Sequence, residues 1–168
     1  MSSEIMSLEM DVFCLLLLIR ILYQMYINRE QNNHWNYFYH TIAWSCVYLF
    51  MDAIWIMNVK HLLTFSKIQS GIFNSFYFCS LAMLVCSWYI YVQKTLHSAV
   101  LKHKKILVLT FIPLIFFIGS SLLSYWTHGL FVIDQACNYH RGKLLPFYFL
   151  ILFAYILYLS IKAGSLSK

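Results

Sequence analysis

Apolar residues along this chain gather into five blocks, at 12–27, 35–57, 71–92, 106–126 and 144–161, parted by short polar stretches. A helix rises about 1.5 Å per residue, so each of the middle three blocks exceeds a hydrocarbon core of about 30 Å. The first and last are shorter, and they need flanking residues to snorkel or the bilayer to thin. Arg20 interrupts the first block, and Pro113 is expected to kink the fourth and free a carbonyl there. The pattern predicts an all-α, polytopic transmembrane bundle of about five helices. It forms a single domain over 1–168, with no soluble domain.

Between the fourth and fifth blocks the period changes. Phe131 to Asp134 and Tyr139 to Gly142 are expected as the arms of a short extracytoplasmic hairpin, with Gln135 to Asn138 as the turn. In that register Asp134 opposes Tyr139, and Arg141 is its diagonal neighbour within salt-bridge reach. Such a hairpin serves either as a lid held by that pair or as a ligand-contacting element.

Within the second block, Thr41, Ser45, Tyr48, Asp52 and Trp55 fall on one helical stripe, a polar seam in an otherwise apolar helix. A carboxylate at membrane depth costs a few kcal/mol on insertion scales, so Asp52 is expected to face the bundle interior and to have a partner. Arg20, at similar depth on the first helix, is the expected counter-ion, with snorkelling as the other use of its long side chain. The seam reads either as interhelical hydrogen bonding or as a ligand or proton site. The third block carries Asn74, Tyr77, Leu81, Leu84, Trp88 and Tyr91 along one face, expected as packing surface.

Composition sharpens this picture. Hydrophobic residues make up 61% and charged ones only 11%, against about 25% charged in soluble domains. The net charge of +6 is scattered between apolar blocks and forms no connected basic surface, which argues against nucleic acid as a partner. Its distribution orients the chain: Lys94, Lys102, Lys104 and Lys105 flank the third and fourth blocks and belong in the cytoplasm. Arg29, Lys162 and Lys168 then also lie inside, while Lys60, Lys67, Arg141 and Lys143 lie outside. The expected topology is a multi-pass protein of the cell membrane, N-terminus outside and C-terminus cytoplasmic. Glu4, Glu9 and Asp11 stand where a signal peptide has its basic region, so no cleaved leader is expected.

Catalytic chemistry finds little to work with. There is no His-Glu-x-x-His for an intramembrane zinc protease and no glycine-rich nucleotide loop. Of the aspartates, only Asp52 lies inside an expected span, too few for a proton-sharing dyad. Cys14, Cys46, Cys79 and Cys86 fall inside the blocks, and no disulfide framework or cofactor is implied. His128, Cys137 and His140 share the outer loop without a recognised metal-ligand spacing. The chain is expected not to be an enzyme.

The stretch Ile133-Asp134 followed by Tyr139-His140-Arg141-Gly142 and an apolar helix resembles the membrane-sensor region of bacterial GGDEF-type diguanylate cyclases, and a similar region of some sensor histidine kinases. Met51-Asp52-Ala53-Ile54-Trp55 is similar to the Leu-Asp-x-x-Trp pattern of that family. Asn74-Ser75-Phe76-Tyr77-Phe78, leading to Ser87-Trp88-Tyr89-Ile90-Tyr91, is similar to its third helix. The resemblance implies a bacterial inner-membrane sensory input module, N-terminus outside, coupled through two further helices to a cytosolic output domain. On that reading this chain is the input half, ending after the fifth helix and lacking its output domain. It implies Asp52, Trp55, Asp134, Tyr139, His140 and Arg141 as residues that sense a ligand or hold the sensing conformation. Partners would be the lipid bilayer, a small-molecule or envelope ligand outside, and a second copy or a separate signalling protein. The rival readings are a small transporter or channel subunit, with the Asp52 seam as its pathway, and a non-functional remnant of a longer gene.

Overall fold

A computed structural model describes residues 3–27, 35–59, 62–63, 65–95, 104–135 and 139–166. Five helices account for most of them: α1 (Ser3–Ile27), α2 (Trp35–Val59), α3 (Lys67–Thr95), α4 (Lys104–Thr127) and α5 (Leu145–Leu166). Two three-residue strands, β1 (Phe131–Ile133) and β2 (Tyr139–Arg141), pair antiparallel between α4 and α5. Every expected apolar block becomes a helix. Arg29, Lys60, Lys102, Cys137, Lys168 and most of the expected turn at Gln135–Asn138 lie outside the described residues.

Three helices start earlier than the apolar pattern suggests, α4 by only two residues, and for the other two a local reason is visible. α1 takes in the acidic stretch before Val12, because Leu8, Asp11, Leu15, Leu18, Leu22 and Met25 continue one 3–4 spaced face, all partly or fully buried. α3 starts at Lys67 instead of Gly71 because Ser66 and Gln69 form a capping box. The Ser66 backbone N–H donates to Gln69 Oε1 at 2.9 Å, and the Gln69 N–H donates to Ser66 Oγ at 3.3 Å. α4 runs on as one helix through Pro113. It closes with the N–H of His128 on the Ser124 carbonyl at 2.8 Å, His128 adopting a left-handed φ of 55°.

α3 is the axis of the molecule, packing against α2, α4, α5 and β1, while α1 leans on α2. Antiparallel order is visible in the ring pairs: Phe38 meets Tyr91 at one end of α2 and α3, and Trp55 meets Tyr77 at the other. The close approach of α3 to α4 depends on Gly71, where a Cβ would collide with the Tyr125 ring. An apolar core lies between α3, α4, α5 and β1 and includes Phe78, Leu114, Phe117, Phe131, Tyr148 and Leu152.

Around this apolar core, several polar side chains are buried while many large apolar ones cover the outside of the bundle. Ser70, Asn74, Ser75, Gln93, Ser121 and Ser124 are buried, while Phe13, Leu16, Ile115, Phe116, Trp126, Phe147, Leu150 and Phe153 are exposed. Hydroxyls of Thr41, Ser45, Ser80, Ser87 and Ser121 donate to carbonyls three or four residues back in their own helices, which satisfies them inside the bundle. Three helices, with apolar segments Leu8–Ile27, Tyr37–Asn58 and Lys67–Thr95, are long and apolar enough to cross a membrane. Shorter apolar segments occupy Phe111–Thr127 and Leu145–Tyr158.

Candidate functional site

The polar stripe of α2 divides in two. Thr41 and Ser45 satisfy themselves on Tyr37 and Thr41 carbonyls, whereas Tyr48, Asp52 and Trp55 find partners on other helices. All three meet Tyr77 of α3. The hydroxyls of Tyr48 and Tyr77 lie 3.2 Å apart, the Tyr77 hydroxyl also interacts with the Asp52 carboxyl, and Trp55 stacks on the Tyr77 ring at 6.2 Å and 17°. Each phenol carries one proton to donate. The order Tyr48 to Tyr77 to Asp52 therefore satisfies both hydroxyls and ends on the carboxyl. Tyr77, expected as packing surface, is the hub of the site.

The partner of Asp52 on α1 is Asp11, not Arg20. The two carboxyl groups interact directly, and Asp11 Oδ2 is enclosed with no hydrogen-bond donor among the described residues. Arg20 stands nine residues further along α1, about 13 Å away along the axis, and is exposed. The depth match between Arg20 and Asp52 fails because it assumed a helix beginning at Val12. With α1 beginning at Ser3, Asp11 falls level with Asp52. The signal for Asp11 was in the sequence, in its place on the Leu8–Leu15–Leu18–Leu22 face.

The hairpin closes the other side of the site in a register one residue from the expected one. Phe131 pairs with Arg141, Val132 with His140 and Ile133 with Tyr139. A slip of one residue exchanges the two faces. Phe131 and Ile133 point into the core, Tyr139 lies opposite Ile133, and His140 turns outward. Asp134 consequently pairs with His140, Nε2 to Oδ2 at 3.2 Å, and the expected Asp134–Arg141 salt bridge is not made. Arg141 stands instead on the face of Tyr139, without a carboxylate partner among the described residues. Burial pushes the Tyr139 phenol above its ordinary value, and the neighbouring Arg141 guanidinium draws it partly back. It stays a neutral O–H at physiological pH.

Backbone geometry fixes the hairpin in place. The buried Ser124 hydroxyl at the end of α4 accepts the N–H groups of both Leu130 (2.9 Å) and Phe131 (3.1 Å). Gly142 crosses the chain at Gly129–Leu130 so closely that any Cβ would overlap the Gly129 carbonyl. The Gly142 N–H donates to Leu130 O at 2.8 Å, and the Leu144 N–H to Gly129 O at 2.9 Å.

Between these parts lies a half-open cleft of about 410 Å³, walled by Trp55, Tyr77, Phe78, Tyr139, Leu145, Pro146 and Phe149, with Arg141 and Gly142 at its hairpin side. Trp55 and Tyr139 meet edge to face at 5.6 Å. Of the residues singled out in the sequence, Trp55, Tyr139 and Arg141 converge here, and Asp52 sits behind Tyr77. Asp134 and His140 are paired on the outer face, and Arg20 is remote. Phe149 and Pro146 of α5 had no signal of their own, since an apolar residue in an apolar helix does not announce which side it serves. Comparison with protein-family models, with curated proteins and with solved structures finds no match to this chain.

Proposed function

We propose that this chain is a membrane-embedded, non-enzymatic sensory module that binds a small ligand in the cleft between α2, α3, the hairpin and α5. The observation that carries the reading is the convergence of Trp55, Tyr139 and Arg141, from two distant sequence segments, on one aromatic cavity. A concave site of a few hundred Å³, mostly apolar with a few convergent polar groups, is the form small-molecule sites take. The apolar exterior of the bundle and its apolar helices support insertion as a five-span protein. The basic residues around the α3–α4 connection support an orientation with the hairpin outside and both the α3–α4 connection and the C-terminus in the cytoplasm. The resemblance to the membrane-sensor regions of bacterial cyclases and kinases supports signalling as the purpose, with the inner membrane as the location. A reporter active only in the cytoplasm should work when fused after Lys105 or Lys168 and be silent after Asn138. Activity at Asn138 would overturn the topology, and with it an outward-facing site.

A second reading, transport, is favoured by one observation: the chain of groups Asp11, Asp52, Tyr77 and Tyr48 that leads from the α1–α2 seam to the cleft wall. Proton-coupled uptake into proteoliposomes, abolished by Asp52→Asn, would establish it in place of sensing.

A further inference from the structure

We propose that the cleft is selective for a small amphiphilic anion, an apolar or aromatic body bearing a single carboxylate- or phosphate-type group. This rests on the reading of the cleft as a ligand site and adds the chemistry of its occupant. Arg141 is the formally charged residue among the cleft lining, and the hairpin register removes its expected partner: Asp134 is taken by His140 at 3.2 Å. A guanidinium without a carboxylate, set beside apolar walls, presents a planar fork of donors suited to a two-oxygen anion. Arg141 itself is exposed at the mouth of the cleft, and the remaining walls, Trp55, Tyr77, Phe78 and Phe149 with Leu145 and Pro146, offer aromatic and aliphatic surface to a hydrophobic body.

The arrangement also sets polarity and orientation. An organic cation could use the aromatic faces, but it would sit against Arg141 and be repelled. The carboxyl pair Asp11–Asp52 lies behind Tyr77 and does not line the cleft. The anionic end therefore goes to Arg141 at the hairpin, away from the carboxyl pair behind Tyr77, and the apolar body goes toward Trp55 and Tyr77. Pro146 and Phe149 are exposed on α5, so the same chemistry can arrive from two sources. It can come as a water-soluble aromatic acid from the hairpin end, or as an anionic lipid entering beside α5.

The test uses the full chain in phosphatidylcholine nanodiscs. 2-Naphthoate and its uncharged amide are titrated against tryptophan fluorescence, with Trp55→Phe to assign the signal. In parallel, phosphatidylglycerol is introduced into the discs and lipid retained by the protein is measured by native mass spectrometry. The proposal expects naphthoate to bind at least about ten-fold more tightly than the amide. It expects Arg141→Gln to remove that preference, and Arg141→Lys to keep part of it. Phosphatidylglycerol retained through Arg141 and competing with naphthoate would assign the lipid as the source. Naphthoate binding indifferent to phosphatidylglycerol would assign a soluble acid. Equal binding of acid and amide, lost with Trp55→Phe and Tyr139→Ala but unaffected by Arg141→Gln, would overturn the anion selectivity while leaving the cleft a ligand site. A folded chain that binds neither probe and retains no anionic lipid would overturn both.

Discussion

At the scale of single residues, Ser124 carries more of the site than its size suggests. Its hydroxyl is fully buried and serves two backbone N–H groups, those of Leu130 and Phe131, at the point where α4 hands over to the hairpin. Ser124→Ala should therefore leave two enclosed donors unsatisfied and cost about 2–4 kcal/mol, at roughly 1–2 for each donor. Loosening of the hairpin should follow, since β1 is anchored there. Unfolding of the purified chain in mixed micelles measures the first effect, and proteolysis between α4 and α5 the second. The exposed His140–Asp134 pair is a useful control. Its side chains are 61% and 37% exposed, and pairs of that kind contribute at most about 1 kcal/mol. His140→Ala should be nearly silent by both measurements, and a loss equal to that of Ser124→Ala would deny Ser124 its anchoring role.

Among the elements, the instructive pair is α1 with α2. Apolar periodicity was enough to place five helices, because blocks of about twenty apolar residues have few other uses. It misplaced the start of α1, since Glu4, Glu9 and Asp11 look like a solvated tail. The polar face of that first stretch conceals the continuing seam of Leu8 and Asp11, and the error carried over to the site, pairing Asp52 with Arg20. The hairpin shows the same sensitivity on a smaller scale. Its strand residues were legible from their pattern, but the register depends on the geometry of the turn, and one residue decides whether Asp134 reaches Arg141 or His140. The cleft was half legible: Trp55, Tyr139 and Arg141 stood out by residue type, whereas Tyr77 and Phe149 acquire meaning only from packing. A mutational cycle tests the α1–α2 contact. Since Asp11 and Asp52 face each other, Asp11→Asn should leave the chain as stable as before or more stable by about 1 kcal/mol, because it relieves repulsion. Arg20→Gln should change little. The effects of Asp11→Asn and Asp52→Asn should not add. A loss of about 3 kcal/mol or more on neutralising Arg20, recovered by Asp52→Asn, would be the behaviour of a buried ion pair and would refute this assignment.

For the whole molecule, the alternation of helix directions gathers the functional parts at one end. The second half of α2, the first half of α3, the hairpin and the start of α5 meet around the cleft, and the carboxyl pair of α1 and α2 lies just behind it. The basic residues flanking the α3–α4 connection belong to the opposite end. A signalling bundle needs two arrangements separated by only a few kcal/mol, with an occupant that favours one of them. On the sensory proposal, an occupant touching Trp55 and Tyr139 would act through the hairpin, which Ser124 ties to the end of α4. The central claim is that Trp55 and the hairpin share one cleft, and chemical cross-linking tests it most directly. With Cys137 replaced by serine, the variant carrying Trp55→Cys and Tyr139→Cys should be bridged within one chain by a short bis-maleimide in native membranes. A control pairing Trp55→Cys with His140→Cys, whose second position faces outward, should bridge far less. Bridging that is equal in both variants, or absent when each single cysteine is freely labelled, would contradict the account.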